Sequence, residues 1–154
     1  MLLPVRRHQG GQSLVEFAFT IGVFLLVLFG ALSTALYAVQ RSAAVTAAAA
    51  GVRAAASAQS DRPNDPDLAS AAPLVGAKLR PVLFGTSLAT KPAGTPCDAL
   101  DAIPRGQLQV CATIEEGDMV LVVVRGRPLD LLPLVPLPWT IDAPAEIHQV
   151  TFTR

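Results

Sequence analysis

The residue best placed to do chemistry is an acid at the entrance of a long apolar segment. Glu16 follows Gly11 by five positions, and residues 17–40 after it contain no Asp, Glu, Lys or Arg. Ionised side chains cost about 2.5 kcal/mol or more at the centre of a membrane helix, and those that persist there usually have a function. Ser13 and Glu16 also fit the Ser-x-x-Glu capping box, which satisfies free amides at a helix start. Glu16 is therefore a candidate functional residue, with helix capping as the alternative.

Beyond Glu16, the sequence offers no arrangement typical of an enzyme or a metal site. His8 and His148 are the two histidines, and neither has neighbours at metal-ligand spacing. No Ser/His/Asp or Cys/His nucleophile arrangement is recognisable either. The formal net charge is zero, so no basic field points to nucleic acid. We expect no enzyme activity, no cofactor and no nucleic-acid partner.

The element that positions Glu16 is a helix long enough to cross a bilayer. The twenty-four residues 17–40 span about 36 Å at ~1.5 Å per residue, against a hydrocarbon core of about 30 Å. No proline interrupts residues 5–62, and ten of the sixteen residues 43–58 are Ala, the strongest helix former. The sequence predicts one helix from about Gln12 to about Ser60. Its Ala-rich half suits close packing against other helices or its own head.

The charges that flank this helix predict its orientation in the membrane. Arg6 and Arg7 precede it, and residues 1–11 contain no acid. The positive-inside rule then predicts a cytoplasmic N-terminus and a C-terminal part on the far side of the membrane.

Two cysteines, Cys97 and Cys111, fall in the part of the chain that is predicted to cross. Disulfides form and persist in such oxidising compartments. A bridge between them would close a loop of about fifteen residues, which is worth roughly 3 kcal/mol in the chain-entropy model. The alternative is two unrelated buried thiols.

The segment after the long helix predicts a small α+β head. A second helix is expected with Asp65 as its N-cap and Pro66 as its first residue, although Pro73 would strain it. Residues 84–104 are rich in Gly and Pro and are expected to form loops.

The strand signals come later in the head. Residues 107–114 and 119–125 are rich in β-branched and apolar residues and are predicted to form a hairpin. Residues 147–152 alternate apolar and polar side chains and are predicted to be the final strand. We therefore expect an antiparallel sheet that leans on helix.

The start of the chain resembles the processing site of type IV prepilins. The motif is Gly-Gln-Ser-Leu-Val-Glu-Phe at residues 11–17, after a short basic leader and before a membrane-length helix. In more detail, it is similar to the TadE-like minor pseudopilins of tight-adherence (Flp-type) pilus systems. Leu-Tyr-Ala at residues 36–38 and the Ala-rich residues 48–55 look like their juxtamembrane helix, and the resemblance covers about residues 6–56.

The resemblance implies a role for each residue of the motif. A membrane-embedded prepilin peptidase would cut after Gly11, leaving Gln12 as the new N-terminus. Glu16 would be the fifth residue of the mature chain and would meet the free amine of a neighbouring subunit, with Phe17 beside it in the assembly segment. The implied partners are the peptidase, the major pilin, other minor pseudopilins, an inner-membrane assembly platform and membrane lipid.

Together these observations predict three parts in a protein of the bacterial inner membrane. The parts are a leader over residues 1–11, a transmembrane and juxtamembrane helix over residues 12–60, and a pilin-like extracytoplasmic head over residues 61–154. The expected function is that of a minor pseudopilin in pilus assembly or initiation.

Other functions remain open at this point. One is an uncleaved single-pass inner-membrane protein with a periplasmic binding head. Another is an exported domain cut by signal peptidase, although the apolar segment is longer than the usual h-region of about 7–15 residues. A periplasmic enzyme lacks any supporting arrangement of residues. The mature N-terminus separates them: Gln12 for the pseudopilin, Met1 for the uncut anchor, and a residue past Ala31 for the exported domain.

Overall fold

The first element of the fold is a single long helix. The structure is a computed structural model that describes residues 10–57, 67–115, 119–129 and 138–148. The helix, α1, spans Gly10–Ser57 and is 48 residues long. At about 1.5 Å per residue it measures roughly 72 Å, more than twice the thickness of a bilayer core. It is continuous, as expected for a segment without proline, and its predicted last residues, 58–60, lie outside the described residues.

A second, shorter helix follows in the head. This helix, α2, spans Leu68–Leu79 and continues through Pro73. Asp67 caps it, because its carboxylate accepts a hydrogen bond from the backbone amide two residues further on, at 3.1 Å. The predicted cap, Asp65 with Pro66, lies outside the described residues.

Four strands form one sheet in the order β1-β2-β3-β4. A 3-10 turn at Arg80–Val82 connects α2 to the strands. In chain order the strands are Ser87–Thr90, Gln107–Glu115, Met119–Arg127 and Ile141–His148. β3 pairs antiparallel with both β2 and β4. The predicted hairpin is confirmed, with β2 one residue and β3 two residues longer than expected, and so is the α+β class.

Two strands differ from the prediction. β1 lies within the segment that was expected to be loop, and it pairs in parallel with β2, so the sheet is mixed rather than wholly antiparallel. Its four residues are too few for an alternating pattern to stand out. β4 begins at Ile141, six residues before the predicted final strand, of which residues 149–152 lie outside the described residues. Pro144 obscured it, but proline is tolerated here because β4 is an edge strand.

The core of the head forms where one face of the sheet meets α2 and the second half of α1. The buried residues of α1 recur at helical spacing and are small: Ala44, Ala47, Ala48, Val52 and Ala55. Gly51 lies among them, and a Cβ there would be 2.5 Å from Cγ2 of Val75 on α2 and 3.3 Å from Cγ1 of Val122 on β3. The small residues therefore let α1, α2 and the sheet approach closely. The second half of α1 is part of the packed structure of the head.

Candidate functional site

The residues predicted for processing and assembly lie at the start of α1, at the end furthest from the head: Gly11, Gln12, Glu16 and Phe17. The helix begins at Gly10, so the bond between Gly11 and Gln12 is inside it. Glycine is less favourable than alanine in a helix interior by about 1 kcal/mol per residue. Gly10 and Gly11 are adjacent, so unwinding the helical turn that contains the predicted scissile bond costs little free energy.

The capping interpretation of Glu16 does not fit this helix start. Ser13 would have to be the N-cap, with helical residues beginning after it. In the structure Ser13 is the fourth residue of α1, because the helix begins at Gly10. The intact chain therefore gives Glu16 no capping-box role with Ser13 as N-cap.

The residues next to Glu16 in the sequence are apolar and exposed. Leu14, Val15 and Phe17 are each about two-thirds exposed, at 70%, 67% and 68%. Glu16 is itself exposed. The backbone carbonyl of Glu16 accepts a hydrogen bond from Oγ1 of Thr20 at 2.8 Å. That hydroxyl is satisfied within the helix, as a lipid environment requires of polar groups.

Glu16 belongs to an apolar stretch of α1 that the head does not cover. We call residues 13–32 the exposed rod, since all are exposed except the half-buried Gly30. These twenty residues measure about 30 Å, which equals the hydrocarbon thickness of a bilayer. Within α1 the most apolar eighteen-residue window has a mean hydropathy of 2.3, and none of it is buried. The length, composition and exposure of the rod support membrane anchoring.

The rod joins the head at a set of aromatic and hydrogen-bond contacts that begin near Ser33, the first buried residue of α1. The ring of Tyr37 stacks on Trp139, with centroids 5.0 Å apart and an interplanar angle of 23°. The Tyr37 hydroxyl donates to the Thr140 carbonyl at 2.8 Å. Nε2 of Gln40 donates to the carbonyl of Leu83 at 3.2 Å. These contacts fix the direction of the rod relative to the head.

Sequence reasoning missed this junction between rod and head. Trp139 is the only tryptophan of the chain and follows a run of prolines, and Gln40 closes the uncharged segment. Both features single out a residue in the sequence, but neither indicates which residue it contacts. Trp139 contacts Tyr37, 102 residues earlier in the chain, and Gln40 contacts Leu83, 43 residues later. Local sequence patterns do not reveal contacts between residues so far apart in the chain.

Cys97 and Cys111 form a disulfide, with Cα atoms 5.5 Å apart. The bridge fastens the loop after β1 to the middle of β2. It is remote from the Gly11 junction, so it stabilises the head rather than acting at the predicted processing site.

Asp98 is held by two polar contacts beside the disulfide. Its carboxylate lies 2.8 Å from Nζ of Lys91 and accepts a hydrogen bond from Nε2 of Gln109 at 2.8 Å. The hydrogen bond from Lys91, and after it that from Gln109, lowers the pKa of Asp98 below its ordinary value. Among the described residues, no group of three or more His, Cys, Asp and Glu is arranged to hold a metal ion.

Comparison with known proteins bears on most of α1. Residues 11–53 match the model of the TadE-like protein family. The matched segment starts at Gly11 and covers the exposed rod and most of the Ala-rich half, so the resemblance seen in the motif is confirmed there. The segment ends before α2 and leaves the sheet outside. No curated protein and no solved structure matches the chain significantly.

Proposed function

We propose that this protein is a minor pseudopilin of a tight-adherence pilus, cut by a prepilin peptidase after Gly11 and acting in pilus assembly or initiation. One observation carries the proposal. The TadE-like match begins at Gly11, two residues before the exposed rod of bilayer length. The segment that matches the family and the segment that could span a membrane therefore both begin within two residues of Gly11, the predicted cleavage site.

The helix start is suited to cleavage at this bond. Gly11 has no side chain to obstruct a peptidase, and the Gly10–Gly11 pair makes local unwinding inexpensive. The exposed rod beyond the cut would keep both precursor and product in the membrane. Arg6 and Arg7 would hold the leader at the cytoplasmic face, where the peptidase acts on it.

Glu16 has the environment expected of an assembly residue. It lies near the start of the rod and is flanked in the sequence by the apolar, exposed Val15 and Phe17, so in the bilayer its carboxylate would lie near the edge of the hydrocarbon. A charge pair is much stronger in low dielectric than in water. Cleavage would create an amine on Gln12, and the amine of one subunit would pair with Glu16 of the next. A misplaced subunit would leave a buried charge unpaired, which is strongly unfavourable.

The remaining partners follow from the same proposal. The rod would contact lipid and the helices of the major pilin and other minor pseudopilins, and an inner-membrane platform would receive the subunit. The head would lie outside the cytoplasm, in agreement with its disulfide.

A second function is favoured by one observation. α1 runs through the junction of Gly11 and Gln12 without a break, and a peptide bond inside a helix is a poor protease substrate unless the helix unwinds. The alternative is therefore an uncleaved single-pass protein whose head binds a periplasmic partner.

Co-expression with a prepilin peptidase tests the proposal against this alternative. We expect the wild-type chain to lose residues 1–11, and Gly11→Leu to keep them, as measured by intact mass. Gly22→Leu is the matched control, because nothing lies within 4 Å of a Cβ at Gly22 and it stays on the exposed rod. Equal cleavage of the wild type and Gly11→Leu would contradict the proposed site, and no cleavage of any of the three would favour the uncut anchor.

A further inference from the structure

The end of the head that faces the rod carries exposed apolar side chains. We define the base patch as Phe84, Leu129, Pro138 and Trp139. Phe84 is 54% exposed and Leu129 is 50% exposed, Pro138 is exposed, and Trp139 is partly buried by its stacking on Tyr37. All four residues come from loops at one end of the sheet.

The position of the base patch along α1 is fixed by contacts. Trp139 lies against Tyr37, and Phe84 follows Leu83, whose carbonyl is bound by Gln40. Residues 33–40 of α1 are therefore level with the patch. The exposed rod ends at residue 32 and is about as long as the hydrocarbon core is thick. When the rod fills the core, the base patch lies at the membrane–water interface.

The residue types of the patch suit that depth. Trp and Tyr concentrate at membrane interfaces because their rings are apolar and carry one polar group. The Tyr37 and Trp139 rings stack there, and the Tyr37 hydroxyl donates to the Thr140 carbonyl. Arg41, exposed and one position past Gln40, lies where lipid phosphates are expected.

The backbone angle of Phe84 and a hydrogen bond of Leu129 define the conformation of the two loops that carry them. Phe84 has φ of 41°, in the left-handed region that bulky residues rarely adopt. Such strain persists only where surrounding structure imposes it, and it concentrates at functional positions. The amide of Leu129 donates to Oγ1 of the buried Thr86 at 3.1 Å, which fixes the second loop to the first.

We propose that the base patch enters the interface of the same bilayer that the rod spans, giving the head a second membrane contact that sets its orientation. The occupant is lipid because the patch is continuous with the lipid-facing surface of the rod at the depth where the hydrocarbon ends. The inference rests on the membrane anchoring in the proposed function, and on neither cleavage nor assembly.

The single tryptophan provides a direct test on the full chain reconstituted in phosphatidylethanolamine and phosphatidylglycerol vesicles. Trp139 fluorescence is measured with lipids brominated close to the headgroup or close to the chain end, and with aqueous acrylamide. We expect shallow bromine to quench Trp139 roughly twofold, as for a residue in the interfacial aromatic belt, and deep bromine to quench it less. This measurement needs no substitution.

Three variants on a Trp139→Phe background serve as a depth scale. Leu25→Trp reports on the rod, Phe84→Trp on the patch, and Ile114→Trp on the other end of β2. Ile114 is 46% exposed and lies eight residues along the chain from Gly106, where an added Cβ would be 3.3 Å from Cδ1 of Leu129. It is therefore about 26 Å from the patch. We expect deep bromine to quench position 25, shallow bromine to quench position 84, and only acrylamide to reach position 114.

Each other outcome overturns the inference. If only acrylamide quenches position 84 while deep bromine still quenches position 25, the rod spans the bilayer but the head does not contact it. Protection of position 84 from both bromine and acrylamide means that protein covers the patch. Loss of bromine quenching at position 25 as well would contradict membrane anchoring itself.

Discussion

At the scale of single residues, Glu16 differs from its surroundings more than any other group in the rod. It is the acid at the start of a largely apolar stretch, and the residues next to it in the sequence are apolar and about two-thirds exposed. In the proposed assembly, a cation from a neighbouring subunit would pair with this carboxylate. The sequence identifies Glu16 because its charge interrupts an apolar pattern. It cannot identify the proposed cation, because in the proposed assembly that group belongs to another chain.

The proposed assembly role of Glu16 predicts a selective loss. Glu16→Gln keeps the size of the side chain but removes the charge, so we expect normal membrane insertion and normal cleavage with failure to co-purify with the other pilus subunits. Thr20→Val, one turn further along the rod, is the control and should assemble. Assembly of Glu16→Gln at the wild-type level would contradict the pairing.

Asp98 predicts a pH dependence of head stability. Its pKa is lowered in the folded head by Lys91 and then by Gln109, so the charged form stabilises the fold. This contribution is complete above the unfolded pKa, near 3.8, and is lost as pH falls through the lower folded value. Asp98→Asn should therefore lower the melting temperature at about pH 7, and this loss should diminish as the pH is lowered towards about 2. Asp101→Asn, in the same loop, is the control. An equal loss at both pH values would rule out the charge as the cause.

At the scale of elements, α1 has two halves with different surfaces. The first half is apolar and uncovered, and the second presents Ala and Gly to α2 and the sheet. The continuous helix and the hairpin could be predicted because each follows a local pattern, namely absent proline and paired β-rich segments. β1 is too short for such a pattern, and Pro144 interrupts that of β4. The packing role of Gly51 could not be predicted from the sequence either, because an isolated glycine in a helix is expected to weaken the helix unless its neighbours are known.

Gly51 predicts a packing defect on substitution. In Gly51→Ala the new Cβ would lie 2.5 Å from Cγ2 of Val75, so α1 and α2 must separate or Val75 must move. We expect a loss of about 1–3 kcal/mol in the free energy of unfolding, the usual cost of overpacking. Chemical unfolding in detergent would measure it.

The control for this prediction is Gly22→Ala, where a Cβ meets nothing within 4 Å and the head should keep its stability. Adding Val75→Ala to Gly51→Ala should recover part of the loss, since it removes the clashing methyl groups. A Gly51→Ala variant as stable as the wild type would show that the three elements are less tightly packed than the structure indicates.

At the scale of the whole molecule, anchor and head share one helix. One face of residues 33–57 of α1 packs against the rest of the head, and the rod extends from that part of the helix without a linker. The Tyr37–Trp139 stack and the Gln40 hydrogen bond brace the point where the rod leaves the head. The rod and the head therefore turn together, so the tilt of the rod in the bilayer determines how the head is presented.

The central claim concerns what happens to the chain at Gly11, and the N-terminal residue of the protein isolated from bacterial membranes tests it most directly. Mass spectrometry of the intact protein and of its N-terminal peptide gives this residue. We predict that the mature chain begins at Gln12, retains the exposed rod and is recovered with the membrane fraction. A membrane-embedded chain that still begins at Met1 would contradict cleavage, and a chain that begins past Ala31 would contradict retention of the rod.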